Sequence, residues 1–307
     1  MVSDLSSKYI ELNNSFRRTL YINLNNRQGF YSEFNSLLLA MLYALQYKYR
    51  LVLCSKDSPF FANQGMSKFF VPVIPETKNH LLNKIVRREL ENGITSKVGS
   101  IYKLFNQNIY SSDIFWFTHS NWFANMKFSI PELGINGDIK DAMRILIPLI
   151  YNFNPSYRQK IDDFRKTIKI DGSYVGFHVR CGDKRTEREI IEPQKYIELV
   201  KEKTSIRQGF VFTDDYEAFE ILKKTYPEWT LYTSCMPSES GYSNASFSNE
   251  NESTKEKGLI KMFASIDILL KSDIFVGSFS SNPGLFIALQ KKDCNMIGVD
   301  FDKWLLI

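Results

Sequence analysis

The chain has 307 residues, 44% of them hydrophobic and 24% charged, which excludes a disordered or fibrous protein and is enough for two core-bearing domains. The formal net charge of +5 is mild, and no Lys/Arg run suggests a nucleic-acid stripe. That balance fits an anionic ligand, or weak peripheral adhesion to an acidic membrane surface.

Residues 19–24, Thr-Leu-Tyr-Ile-Asn-Leu, read as a strand. Phe30, Phe34, Leu37, Leu38, Met41, Leu42 and Leu45 then repeat at helical spacing, and Arg50 to Cys54 reads as a second strand. The loop between, with Arg27 and Gly29 before a helix start, is either an anion site or a plain connection. Residues 55–80 carry Pro59, Pro72 and Pro75 and read as irregular. Leu81 to Asn92 predicts a charged helix. Ile114-Phe-Trp-Phe117 predicts a strand, followed by Thr118-His-Ser-Asn-Trp-Phe123, which is either a sugar-stacking platform or ordinary aromatic core. Residues 138–150 predict a helix that Pro148 ends or kinks, and Arg158 to Ile168 another.

Asp171-Gly172 marks the expected domain boundary, giving lobes of residues 1–170 and 171–307. The second lobe alternates regularly. Strands are predicted at Ser173–Arg180, Gln208–Thr213, Trp229–Thr233, Asp273–Gly277 and Asn295–Val299. Helices are predicted at Pro193–Thr204, Tyr216–Tyr226, Gly258–Lys271 and Pro283–Lys291. Such alternation implies parallel strands with right-handed crossovers, a Rossmann-like sheet. Ser234–Lys257 is long and polar and reads as a lid, an acceptor-contacting loop or a disordered insertion.

The four cysteines, Cys54, Cys181, Cys235 and Cys294, form no Cys-x-x-Cys pair, and with three histidines no metal pattern emerges. A reducing, cytoplasmic setting is the expectation, since the first residues are polar and the longest apolar stretch, Leu37 to Leu45, is too short to span a bilayer.

Four strand or helix ends in the second lobe carry polar residues. His178 and Arg180 sit within the first strand, where polar groups need a reason, and the charged run Asp183, Lys184, Arg185, Glu187, Arg188, Glu189 follows. Asp214 and Asp215 follow the next strand, where acids either cap a helix or line a site. Ser280, Ser281 and Asn282 precede Pro283 at a helix start, suited to a phosphate or simply to capping. Asp267 borders the apolar stripe of its helix and needs a partner or a task, such as the paired N–H donors of a guanine.

These motifs resemble those of the GDP-fucose-using fucosyltransferases that make α1,6 linkages, including the nodulation-factor enzymes. The family pattern His-Val-Arg-Arg-Thr-Asp-Lys is similar to His178-Val-Arg-Cys-Gly-Asp-Lys184, with Thr186-Glu187, Pro193 and Tyr196 after it. Phe212-Thr-Asp-Asp215, Asp267-Ile-Leu-Leu-Lys-Ser272 and Ser278-Phe-Ser-Ser-Asn282 resemble three further family motifs in the same order. His-Val-Arg-x-Gly-Asp also resembles the α1,2-fucosyltransferases. The resemblance implies a GT-B-like α/β fold of two lobes, acceptor side first. It implies an inverting, metal-independent transfer of a sugar, L-fucose first, from a GDP-sugar to a saccharide hydroxyl, with no other cofactor. It implies that His178 and Asp267 hold guanine, that Arg180 and Ser281 hold the diphosphate, and that Asp183, Lys184, Asp214, Asp215 and Tyr196 line the reaction centre. The base is Glu187 or Glu189, with Asp183 third. Cys181 and Gly182 depart from the pattern and remove one cation. Two rivals stand beside this reading: a metal-dependent transferase using Asp300-Phe-Asp302, and a non-catalytic glycan- or nucleotide-sugar-binding protein.

Overall fold

The computed structural model describes residues 2–25, 28–77, 79, 108–181 and 191–302. The chain divides into two compact units, Met1–Pro155 and Ser156–Leu305.

The first unit opens with a helix that the sequence pattern does not announce, α1 (Val2–Ser15). Its residue Asn13 is 2% exposed, and its side-chain amide both donates to the Leu51 carbonyl and accepts from the Leu51 N–H. The amide thereby acts as one more rung beside the sheet, a contact across 38 residues that no local pattern encodes. Strand β1 (Arg18–Asn23), helix α2 (Phe30–Tyr47) and strand β2 (Tyr49–Cys54) follow as expected. With β3 (Ile109–Tyr110) they form a parallel sheet of order β2-β1-β3. Helix α2 is the spine of this unit, with Leu37, Leu38, Met41 and Leu42 fully buried.

The expected strand at Ile114–Phe117 is instead helical, part of α3 (Ser111–Thr118). The Asp113 carboxylate reaches back to the Tyr110 N–H at 2.9 Å, and that capping starts a helix whose inward residues, Ile114 and Thr118, lie four apart. A short apolar run reads alike in both periods, and a carboxylate at the third helical position decides it. A one-turn helix α4 (Asn121–Ala124), a hairpin of β4 (Phe128–Ile130) with β5 (Ile135–Gly137), and α5 (Ile139–Ile150) complete the unit. Asp138 caps α5, which continues through Pro148 for two more residues.

The second unit starts with α6 (Pro155–Thr167), tied to a later helix through Tyr157, Arg158 and Lys160. The series β6 (Val175–Val179), α7 (Pro193–Lys201), β7 (Gln208–Thr213), α8 (Tyr216–Thr225) and β8 (Thr230–Thr233) follows. Then come α9 (Asn244–Asn249), α10 (Glu252–Lys271), β9 (Ile274–Gly277), α11 (Asn282–Ala288) and β10 (Met296–Gly298). All five strands are parallel, in the order β10-β9-β6-β7-β8, so β6 is central. The expected long loop at 234–257 is largely ordered into α9 and the start of α10, because Ser243 and Asn251 cap the two helices. Helix α10 therefore starts at Glu252, six residues before the expected Gly258.

Strand β6 is buried along its whole length. Val175, Phe177 and Val179 enter a core built with Tyr196, Ile197 and Val200 of α7 and Ala218, Phe219 and Leu222 of α8. Each such fully buried large side chain contributes about 1.5–3 kcal/mol. The alternate residues Gly176 and His178 face the other way. A Cβ at Gly176 would meet Ser272 and Leu269 of the α10 end, so the strand and that helix pack at backbone distance. Among the described residues no helix is long and apolar enough to cross a membrane.

Candidate functional site

The parallel sheet of the second unit brings the C-terminal ends of β6, β7 and β9 side by side, where open α/β sheets hold ligands. In register, His178 lies between Phe212 of β7 and Gly277 of β9.

His178 is 3% exposed, and its ring stacks on Phe212 with centroids 5.4 Å apart. Nδ1 lies 3.3 Å from the Ser281 hydroxyl. Burial, reinforced by the Arg180 charge, pushes its pKa down to about 4, against the opposing pull of Asp214 and Asp300. The imidazole is therefore neutral at physiological pH. The sign of the consequence is definite. The unfolded chain takes up a proton near pH 6.5 and the folded chain only near 4, so folding stability is intact above 6.5 and is lost as pH falls toward 4. The loss amounts to about 3 kcal/mol at full extent. Urea unfolding between pH 4 and 7 should show this slope in the wild type and a shallower one in H178Q; equal slopes would contradict it.

Arg180 leaves the end of β6 and meets Asp214 from the end of β7, Nη1 to Oδ2 at 3.7 Å, with its guanidinium 5.8 Å above the Tyr242 ring. Asp214 does more than pair with it. One carboxylate oxygen accepts the Cys181 N–H at 3.0 Å, the other accepts the Tyr242 N–H at 3.1 Å, and the Asp214 carbonyl accepts the Gly241 N–H at 2.7 Å. The chain after β6, β7 and β8 is thus bolted together at one residue. Asp215 has the separate job of capping α8, accepting the Glu217 N–H at 3.0 Å. Tyr196 is 1% exposed in the core, where burial raises its pKa and its phenol oxygen hydrogen-bonds the Arg180 main chain. It supports Arg180 from beneath and does not line an open cleft.

The turn from β9 into α11 reads either as plain helix capping or as a source of free N–H groups for a phosphate. Those of Phe279 and Ser280 instead donate to the Asp300 carboxylate at 2.8 and 3.0 Å, and the Ser278 hydroxyl joins them at 2.5 Å. Burial alone would raise the Asp300 pKa, but these hydrogen bonds outweigh it and hold the pKa below the usual carboxylate range. Ser281 is 2% exposed; its hydroxyl donates to the Ser278 carbonyl at 2.8 Å and accepts from the Gly284 N–H at 3.1 Å. Gly284 is required there, because a Cβ would lie 2.1 Å from the Ser278 carbonyl oxygen. Ser280 and Asn282 remain half-buried beside the crevice.

Asp267 pairs with Arg158 of α6 at 2.5 Å, and Arg158 also grips Asp162 through two hydrogen bonds of 3.1 and 2.9 Å. The acid assigned to guanine thus has a protein cation as its described partner. Arg158, Tyr242 and Asp300 are the contributors that the sequence reading did not place in this role. Asp300 was visible only as part of an Asp-x-Asp triplet, and its carboxylate serves the turn.

Asp183, Lys184, Glu187 and Glu189 lie outside the described residues, as do Arg27 and the predicted helix at 81–92. Among the described residues no group of three or more His, Cys, Asp or Glu is arranged to hold a metal ion. In the first unit His119 stacks on Phe115 at 4.0 Å and hydrogen-bonds the Phe115 carbonyl, while Trp116 and Trp122 are 82% and 71% exposed.

No family model matches the chain, and no curated protein matches it. Solved structures do. The chain is 14% identical to the fucosyltransferase NodZ from Bradyrhizobium, covering 89% of itself and 92% of NodZ with a TM-score of 0.53. The NodZ α1,6-fucosyltransferase soaked with GDP-fucose matches at the same identity and TM-score, over 89% and 93% of the two chains. A mutant of Arabidopsis thaliana FUT1 in complex with GDP is 12% identical over 92% of this chain and 71% of its own, with a TM-score of 0.49. The chain therefore has the mixed α/β, GT-B-like fold of the NodZ fucosyltransferases.

Proposed function

We propose that the chain is an inverting glycosyltransferase that moves L-fucose from GDP-fucose to a saccharide hydroxyl. The observation that carries the reading is the pair at the end of β6. His178 is neutral and buried with one ring nitrogen turned away from its Ser281 bond, and two residues later Arg180 is held by Asp214 over Tyr242. A buried imidazole suits a nucleobase edge, and a positioned guanidinium suits a diphosphate, to which it gives a bidentate pair of donors. NodZ, whose structures include one soaked with GDP-fucose and one co-crystallised with GDP, has the same fold, which supports that donor.

In this reaction Glu187 or Glu189 takes the proton of the acceptor hydroxyl, and the oxygen attacks the anomeric carbon as the bond to GDP breaks. Arg180 stabilises the charge that develops on the leaving diphosphate, so the step is proposed to need no metal. The first unit is proposed to hold the acceptor.

A thermal-shift panel of GDP, UDP, dTDP and CMP tests the donor class. GDP at a hundredfold excess over its Kd should stabilise the protein by about 2.7 kcal/mol, the others by far less. A response to UDP alone would overturn the donor. Release of GDP from GDP-fucose, slow without acceptor and faster with glycans, then separates an enzyme from a binding protein.

A further inference from the structure

The hydrogen bonds around Ser281 determine more than the shape of a turn. A serine hydroxyl has one proton and two acceptor sites. Here the proton points to the Ser278 carbonyl at 2.8 Å, since a carbonyl can only accept. One acceptor site takes the Gly284 N–H at 3.1 Å. The remaining contact, 3.3 Å from His178 Nδ1, is then satisfied only if that nitrogen carries the hydrogen. The other ring nitrogen, Nε2, makes no hydrogen bond to a described residue, although the side chain is 3% exposed. A neutral imidazole with its proton on Nδ1 presents a lone pair at Nε2.

We infer that Ser281 is a positioning and specificity-determining residue: it locks His178 in the Nδ1–H tautomer, so that Nε2 accepts a hydrogen bond from a nucleobase N–H. Ser281 is thereby removed from direct contact with the diphosphate, the role its sequence motif suggested. Guanine meets the requirement, since its N1–H and exocyclic amine form a donor edge. Adenine, seated as guanine would be, presents an acceptor at N1 and sets two lone pairs against each other; its exocyclic amine is the one donor on that edge and lies one position away. The histidine thus selects by hydrogen-bond polarity, and the selection is set one layer behind it, by the serine and the carbonyl of Ser278. The nucleobase assignment rests on the GDP-sugar reading; the tautomer does not.

The test has two parts. In the full-length protein labelled with 15N-histidine, long-range 1H–15N spectra report the tautomer of each ring, and H178Q identifies the His178 signals among the three histidines. The expected pattern is Nδ1–H with a bare Nε2. In S281A the buried Nδ1–H loses its acceptor, and the ring should move toward the Nε2–H form. S281T, which keeps a hydroxyl for both the cap and the imidazole, should restore the wild-type pattern. Calorimetric titration with GDP and ADP forms the second part. The preference for GDP should shrink about tenfold in S281A, the loss of one hydrogen bond, and should return in S281T. A wild-type Nε2–H tautomer, or an S281A protein with unchanged tautomer and unchanged GDP preference, overturns the inference. If the wild type binds no GDP, the donor reading fails while the tautomer measurement still decides the lock.

Discussion

Arg180→Ala is expected to lower turnover about 10²–10³-fold, the loss typical of removing a positioned donor from a developing negative charge and equal to ~2.7–4 kcal/mol of barrier. The geometry is the reason so large a loss is expected from a single arginine. Its guanidinium is held from one side by Asp214 and from below by the Tyr242 ring, and its main chain is held by the buried Tyr196 phenol. A cation fixed before the reaction pays little reorganisation when the diphosphate departs. The second arginine of the related motif is replaced by Cys181, which is buried at 5% exposure and offers no charge. Arg180→Lys keeps the charge but loses the fork, so it should recover only part of the rate. Steady-state kinetics with GDP-fucose and direct GDP binding would locate the loss in kcat; undiminished turnover by Arg180→Ala would falsify the mechanism.

Asp214→Ala should cost about 2–6 kcal/mol of stability, because the Cys181 and Tyr242 N–H groups each lose an acceptor at about 1–3 kcal/mol apiece. The Arg180 pair, at 3.7 Å, adds less. Asp214→Asn is the sharper variant. It keeps one acceptor but turns an amide N–H₂ toward the other N–H donor, so it too should be destabilised, against the usual mildness of that exchange. Both variants should also lose activity at temperatures where they remain folded, since the restraint on Arg180 goes with the carboxylate. Thermal melts with parallel kinetics check this. An Asp214→Asn protein with wild-type melting and rate would show that the carboxylate only tops a solvated loop.

The local patterns were legible where one face of an element met one core. The alternation of Val175, Phe177 and Val179 and the helical spacing from Phe30 to Leu45 both appear where the residues put them. The pattern misled where local signals compete. The aromatic run at Ile114–Phe117 looked like a strand, yet Asp113 capped it into a helix, and the polar stretch before Gly258 concealed the caps Ser243 and Asn251. Helix α1 was missed for a related reason, since its anchor is the Asn13 amide on β2 and not an apolar stripe.

By itself, then, the sequence determined an α/β chain whose second half alternates strand and helix, and it placed His178 and Arg180 on the same face of one strand end, because side-chain direction in a strand has a period of two. Only the tertiary structure decided what those residues meet. Asp300 fills the turn at Ser278–Ser280 across some 20 residues, Asp214 reaches Cys181 across 33, Ser281 reaches His178 across 103, and Arg158 reaches Asp267 across 109. Such partners are chosen by sheet order and loop closure, which bring distant segments to hydrogen-bond distance, and polarity along the chain holds no record of that choice. The buried polar groups at the strand ends were readable as a site; which of them face a ligand and which brace the others depended on the fold.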